Sequence, residues 1–273
     1  MTTQITYPPG VPCWVETLQA DPHAAIAFYA GVFGWEVVGP GPMPEAGGEY
    51  FVARVGGRDV AGIATLPSGA APTWMTYVRV DDADAAVERA RRIGGAVIAE
   101  PFDALPAGRA AVLACPGGAV FGLWQPHARE GAQLINAPSA WSMSVLRTSD
   151  LDGATAFYET LFGWKPQTFD AGANEVTLCR LSGYVGGKEQ QPVPRDVVAC
   201  IVPSDDGSAA GWDVDFWVDD TDAAAARAER LGGRVVVPPY DIPKFRQAVL
   251  ADREGATFSI SQLILDDAER PQS

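Results

Sequence analysis

The chain is poor in what most metalloenzymes and nucleophilic hydrolases use. It has two histidines, His23 and His127, and four cysteines, Cys13, Cys115, Cys179 and Cys200, none in a CxxC pair. A zinc site built on paired ligands is therefore excluded as a sequence pattern, and the cysteines read as reduced core thiols of a cytoplasmic protein. No run of about 18 apolar residues occurs, so no membrane span is expected. The start, MTTQITYPPG, has neither a basic region nor an apolar core and shows no signal peptide. Basic residues are outnumbered, with a net charge of −14, which argues against a nucleic-acid backbone as partner. GxSxG, P-loop and strand-bound GxGxxG motifs are missing, and the hydrolase, NTPase and Rossmann readings go with them.

What the chain does have is repetition. FYAGVFGW at 28–35 returns as FYETLFGW at 157–164, and VDDADAAVERARRIGG at 80–95 returns as VDDTDAAAARAERLGG at 218–233. An Asp stands 13 residues before a Gly four times: Asp21–Gly34, Asp82–Gly95, Asp150–Gly163 and Asp220–Gly233. An Asp can cap the free N–H groups of a first helical turn, and Gly permits the left-handed residue that ends a helix. Four helices of about three turns are predicted. Each follows a strand-like run (13–19, 74–80, 141–148, 212–218) and precedes further alternating segments broken by Gly and Pro. The unit is βαβββ, present four times. The Gly/Pro-rich stretch 39–48 reads as loop, and an insertion of about eight residues near 183–193 enlarges one hairpin of the second half, where it could rim a pocket. Residues 1–127 form a first domain, 128–140 a linker, 141–265 a second domain and 266–273 a tail.

Strand alternation then places one face of each first strand toward a common interior. That face carries Trp14 and Glu16; Met75, Tyr77 and Arg79; Met143 and Arg147; Asp213, Asp215 and Trp217, with Trp124 from a closing strand. The opposite row, Val214, Phe216 and Val218, is apolar and suits packing on a helix. Rings and thioethers suit a planar or aromatic ligand, while Glu16, Asp213 and Asp215 are the candidate acid–base groups, since a desolvated carboxylate can become a base near neutral pH. The competing reading of each is ordinary: core aromatics, strand-end charges in solvent and structural ion pairs. Phe33-Gly34-Trp35 and Phe162-Gly163-Trp164 read as packing at helix ends.

Four such modules, with D-x7-FY-x3-FGW opening each half, resemble the vicinal oxygen chelate superfamily of glyoxalase I, extradiol dioxygenases and bleomycin- and fosfomycin-resistance proteins. The tandem form is also similar to actinobacterial glyoxalase-like proteins, some of which accompany aromatic natural-product pathways. The resemblance implies an α+β fold, with the four modules forming two glyoxalase-like cupped barrel domains. It also implies a divalent metal held by side chains at fixed strand positions. Here those positions fall on Trp14, Met75 and Gly122, and on Met143, Asp213 and Ser259. Only Asp213 suits a hard cation, whereas a catalytic metal usually takes three protein ligands. The expectation is thus a protein with no metal and no cofactor. It binds a small apolar or aromatic metabolite, sequestering it or presenting it to a partner enzyme. Alternatives are a metal-free isomerase or cyclase using Asp213, Asp215 or Glu16, or a metal-dependent lyase or oxygenase, which the missing ligands oppose.

Overall fold

The computed structural model describes residues 5–43, 47–170, 175–186, 193–204 and 210–264. The tail at 266–273 and residues 187–192 of the enlarged hairpin lie outside the described residues.

Four βαβββ modules follow one another: β1 (Pro12–Gln19), α1 (Pro22–Phe33), β2 (Glu36–Pro42), β3 (Glu49–Val55) and β4 (Arg58–Thr65) make the first. The second is β5 (Thr73–Arg79), α2 (Ala83–Arg92), β6 (Ala96–Ala104), β7 (Gly108–Ala114) and β8 (Val120–Pro126). The third is β9 (Trp141–Thr148), α3 (Leu151–Phe162), β10 (Lys165–Asp170), β11 (Glu175–Arg180) and β12 (Val197–Pro203). The fourth is β13 (Gly211–Trp217), α4 (Thr221–Arg230), β14 (Arg234–Ile242), β15 (Phe245–Ala251) and β16 (Thr257–Leu263). Paired modules share one eight-stranded sheet, ordered β2-β3-β4-β1-β5-β8-β7-β6 in the first half and β10-β11-β12-β9-β13-β16-β15-β14 in the second. Each sheet is cupped, not closed.

The caps behave as their chemistry dictates. Asp21, Asp82, Asp150 and Asp220 each accept a hydrogen bond from the backbone N–H three residues on. Gly34 and Gly163 end α1 and α3 in the left-handed conformation. The other two helices stop earlier than predicted, at Ile93 and Leu231, and Gly94 and Gly232 take the positive φ. Gly95 and Gly233 serve close approach: a Cβ there would sit 3.1 Å from the Phe157 ring and 2.7 Å from that of Phe28. A second correction concerns 39–48, read as loop. β2 runs on to Pro42 through a register shift between Val38 and Gly41. It is an edge strand, where missing proline donors are tolerated.

Those glycine contacts are part of a larger exchange. Phe28, Tyr29, Phe33 and Trp35 of the first half pack on Phe216 and Phe258 of the second, with ring centroids 5.0 to 6.3 Å apart across the boundary. Phe157, Tyr158 and Phe162 of the second half meet Phe121 of the first at 5.5 to 6.2 Å. Trp35 Nε1 donates to the Ser139 carbonyl and Trp164 Nε1 to that of Gly10, both at 2.7 Å. The FGW repeats are therefore seams between halves, and Phe216 of the apolar row of β13 packs on Phe33 of α1. A buried carboxylate reinforces one seam. Asp252 accepts from Gln19 Nε2 (2.7 Å), from the Tyr29 hydroxyl (2.8 Å) and from the backbone N–H groups of Glu254, Gly255 and Ala256. Beside it Glu254 accepts from the N–H groups of Ala20 and Asp21. The segment 128–140 is also pinned to the first half: Ala132 N donates to Cys13 O, and Asp59 and Gln133 exchange two hydrogen bonds.

Trp35→Ala and Trp164→Ala should each lower unfolding free energy by about 3–5 kcal/mol, the scale of a large aromatic removed from a core. Urea denaturation checks this; losses below about 1 kcal/mol would mean the halves do not depend on the seam.

Candidate functional site

Alternation along β13 decides which groups reach the interior of the second cup. Val214 and Phe216 are fully buried on the seam side, while Asp213, Asp215 and Trp217 face the concave side. There they line a cavity of about 800 Å³ together with Met143, Val145 and Arg147 of β9, Ser259 and Ser261 of β16, and apolar residues of β11 and β12. Tyr184 and Val193, flanking the undescribed part of the enlarged hairpin, also reach it. A smaller crevice of about 450 Å³ lies where the first turn of α2 meets the end of α3, and its acids are engaged in structure: Asp81 pairs with Arg79, Asp82 caps α2 and Glu159 pairs with Lys165.

Asp215 is the most unusual group on this wall. It is 4% exposed, and its two carboxylate oxygens accept from Ser142 Oγ (2.6 Å) and Ser261 Oγ (2.7 Å). Ser261 is itself held by Gln247 Nε2 at 3.0 Å, and Gln247 Oε1 accepts from the half-exposed Tyr240 hydroxyl at 2.9 Å. Burial pushes the Asp215 carboxyl up to about 6, against the opposing pull of Ser142, Ser261 and Gln247. Asp213 lies nearer the mouth, ion-paired with the half-exposed Arg147.

The first cup is built from equivalent positions and is filled. Trp14 Nε1 donates to the Tyr50 hydroxyl (2.9 Å), which donates to Glu16 Oε2 (3.0 Å); the Tyr77 hydroxyl donates to Glu16 Oε1 (2.6 Å). Burial raises the Glu16 carboxyl, opposed by these two tyrosine donors. Gly122 leaves room for Tyr77, whose ring would lie 2.1 Å from a Cβ there, and Gly62 does the same for the Tyr50 hydroxyl at 2.3 Å. Arg129, paired with Asp59 at 2.6 Å, lies over the Trp14 ring at 5.2 Å. Trp14, Glu16, Met75 and Tyr77 are thus packed core. Trp124 donates to the Arg129 carbonyl and Arg79 pairs with Asp81. None of these six lines the second-half cavity, whereas Met143, Arg147, Asp213, Asp215 and Trp217 do.

Sequence reasoning missed Tyr50, Ser142, Gln247 and Tyr240. The alternation of Glu49–Val55 marks Tyr50 as facing Trp14 or facing away, and only the ladder register chooses. The hydrogen-bonded row from Tyr240 to Asp215 crosses β14, β15, β16 and β13, which no local pattern reports.

The fit to a superfamily metal can be tested on the donors. Two of the six implied positions are out of register with the rest: Trp14 pairs with Tyr77 and Tyr77 with Gly122, so Tyr77 and not Met75 stands in that row, while Met143 pairs with Asp215 and Asp215 with Ser259, so Asp215 and not Asp213 stands in the other. Tyr77 occupies the space at Gly122, Asp213 is taken by Arg147, and Asp215, the one hard carboxylate in register, has Met143 and Ser259 beside it and both its oxygens held by serine hydroxyls. Among the described residues no three His, Cys, Asp or Glu side chains converge. The residues do not fit a resident cation.

The raised Asp215 carboxyl has a consequence for stability. A folded-state value above the unfolded one contributes stability below about pH 4 that is lost as pH rises through about 6. Asp215→Asn should therefore be more stable than the parent at pH 8, by up to about 3 kcal/mol, with the difference vanishing near pH 4. Urea denaturation across pH reads this; a pH-independent difference would contradict it.

A family model for the glyoxalase-like domain matches twice, over residues 14–124 and 143–261. CFP32 of Mycobacterium tuberculosis, named as a candidate glyoxylase, is 39% identical over 267 residues, covering 95% of this chain and 97% of its own. The anthracycline biosynthesis protein DnrV of Streptomyces peucetius is 33% identical over 275 residues, covering 94% of each. Among solved structures, the Mn(II)-bound glyoxalase of Novosphingobium aromaticivorans aligns with TM-score 0.62 at 17% identity, over 96% of this chain and 86% of that one. The 2,3-dioxygenase LapB of Pseudomonas sp. KL28 aligns with TM-score 0.61 at 13% identity, over 97% of both. Twice over, and across nearly its whole length, the chain belongs to the glyoxalase-like domain family.

Proposed function

We propose that the second half binds a small, apolar to aromatic metabolite in its cup without a metal, with Asp215 as the polar anchor. The observation that carries this is the cavity itself: a space of about 800 Å³, large enough for a drug-sized molecule, walled by Trp141, Met143, Val145 and Trp217 around a buried carboxylate. Aromatic faces stack on planar ligands, Met adapts to their outline, and a few polar groups set orientation. That no three metal-ligating side chains converge among the described residues supports independence from metal. The likeness to an anthracycline biosynthesis protein supports a role in natural-product metabolism, where the metabolite is sequestered or presented to a partner enzyme. Four free cysteines suit the reducing cytoplasm, and no helix among the described residues is long and apolar enough to cross a membrane.

A second reading rests on Asp215 alone. A carboxyl held at about 6 inside a cavity is matched to proton transfer near neutral pH, as an isomerase or cyclase requires. Ser142 and Ser261 orient it, and an acidic C–H or O–H of a bound substrate would give up its proton to a carboxylate oxygen. Asp213, tied to Arg147 at the mouth, would gate entry in this scheme, and Glu16 would have no part in it.

Binding of planar metabolites should quench tryptophan fluorescence through Trp141 and Trp217, and excess chelator should leave the affinity unchanged. Val176→Tyr, which places a ring where the first cup has Tyr50, should weaken binding at least about tenfold by filling the space. Unchanged affinity in that variant, or loss of binding on chelation, would refute the proposal. For a found substrate, Asp215→Asn should lower kcat by about 10²-fold or more if the acid–base reading holds; an effect on affinity alone leaves binding as the function.

A further inference from the structure

The second cup carries an unbalanced charge. Three carboxylates line it: Asp213, Asp215 and Asp241. Asp213 is ion-paired with Arg147, and Asp241 accepts from Arg246 at 2.8 Å on the rim. The hydrogen bonds of Asp215 among the described residues come from neutral hydroxyls, Ser142 and Ser261. A buried carboxylate is normally matched by a cation, and none of the described residues pairs one with Asp215. The aromatic wall beside it points the same way. Trp217 and Phe245 stand 6.4 Å apart at a tilt, with Trp141 on the same cavity, and ring faces attract cations.

We infer that the ligand of the second cup carries a protonated amine on its apolar body, and that this ammonium pairs with Asp215 in the cavity that Trp141, Trp217 and Phe245 also line. The inference rests on the proposed binding function and adds the charge of the ligand to it. A neutral cup of the same shape would take a planar hydrocarbon or phenol equally well. This one selects for a cation, because a charged hydrogen bond inside a dry cavity outweighs a neutral one. Anionic metabolites are rejected by the same carboxylate.

The test uses the full chain and three probes of one shape: 2-naphthylmethylamine, 2-naphthalenemethanol and 2-naphthoate, measured by equilibrium dialysis at pH 7.5. The amine should bind at least about tenfold tighter than the alcohol, and the carboxylate more weakly than either. In Asp215→Asn the amine and the alcohol should fall within about threefold of each other. Should that variant fail to fold, the parent at pH 5 serves. The preference should shrink there as Asp215 takes up a proton; of the other groups facing it, Cys200 is held at about 12 by burial and Tyr240 is raised by burial, while Asp213 pairs with Arg147 and Asp241 with Arg246. Equal affinity for amine and alcohol in the parent, or a preference that survives both Asp215→Asn and pH 5, overturns the inference while leaving the cup a binding site. Failure of all three probes to bind overturns the cup as a binding site as well.

Discussion

The structure depends on an exchange of aromatic side chains between its two halves. α1 and α3 each present a Phe-Tyr pair and an FGW end. Those rings are buried in the other half, against Phe216 and Phe258 on one side and Phe121 on the other. Neither half could bury these rings alone. Because strand side chains alternate, fixing Phe216 into the seam also fixes Asp215 and Trp217 on the concave face. A one-residue slip of β13 would turn the acid into the aromatic seam and the phenylalanine into the cup. The seam thus holds the halves together and sets the register of the site.

Two cups of one ancestry have reached opposite ends of a packing scale. Ladder equivalence pairs Trp14 with Met143, Glu16 with Val145, Tyr77 with Asp215 and Gly62 with Cys200. The first half puts two tyrosines and a tryptophan around Glu16, with Gly62 and Gly122 cut back to admit them. There Glu16, Tyr50, Tyr77 and Trp14 satisfy one another. The second half has smaller side chains at most of the same positions, and what remains is space plus one carboxylate held by two serines. Burying a carboxyl in each cup costs stability. In the first cup the tyrosine hydroxyls offset that cost, and in the second the arrangement leaves room for a ligand to do so.

Much of this was legible in the residues. The fourfold Asp-to-Gly spacing, the alternation and the turns suffice for βαβββ modules, because capping and period are local chemistry. The inward faces of β9 and β13 were legible too, since Asp213, Asp215 and Trp217 alternate with a clean apolar row. What could not be read was which cup is open. That turns on Tyr50, whose counterpart Val176 is displaced from the repeat by the differing β2–β3 hairpin, and on tyrosines that enter space left by glycines on neighbouring strands. The row Tyr240–Gln247–Ser261–Asp215 spans four strands and has no footprint in the order of residues. Nor does the docking of α1 on the opposite half, since an apolar face does not name its partner.

The central claim is that one cup binds and its twin is sealed. Methionine happens to mark each: Met75 faces the first, Met143 the second. With ¹³C-methyl-labelled methionine, titration of a planar ligand followed by NMR should move the Met143 resonance to saturation and leave Met75 in place. Movement of Met75 with Met143 unchanged would contradict the account at its root.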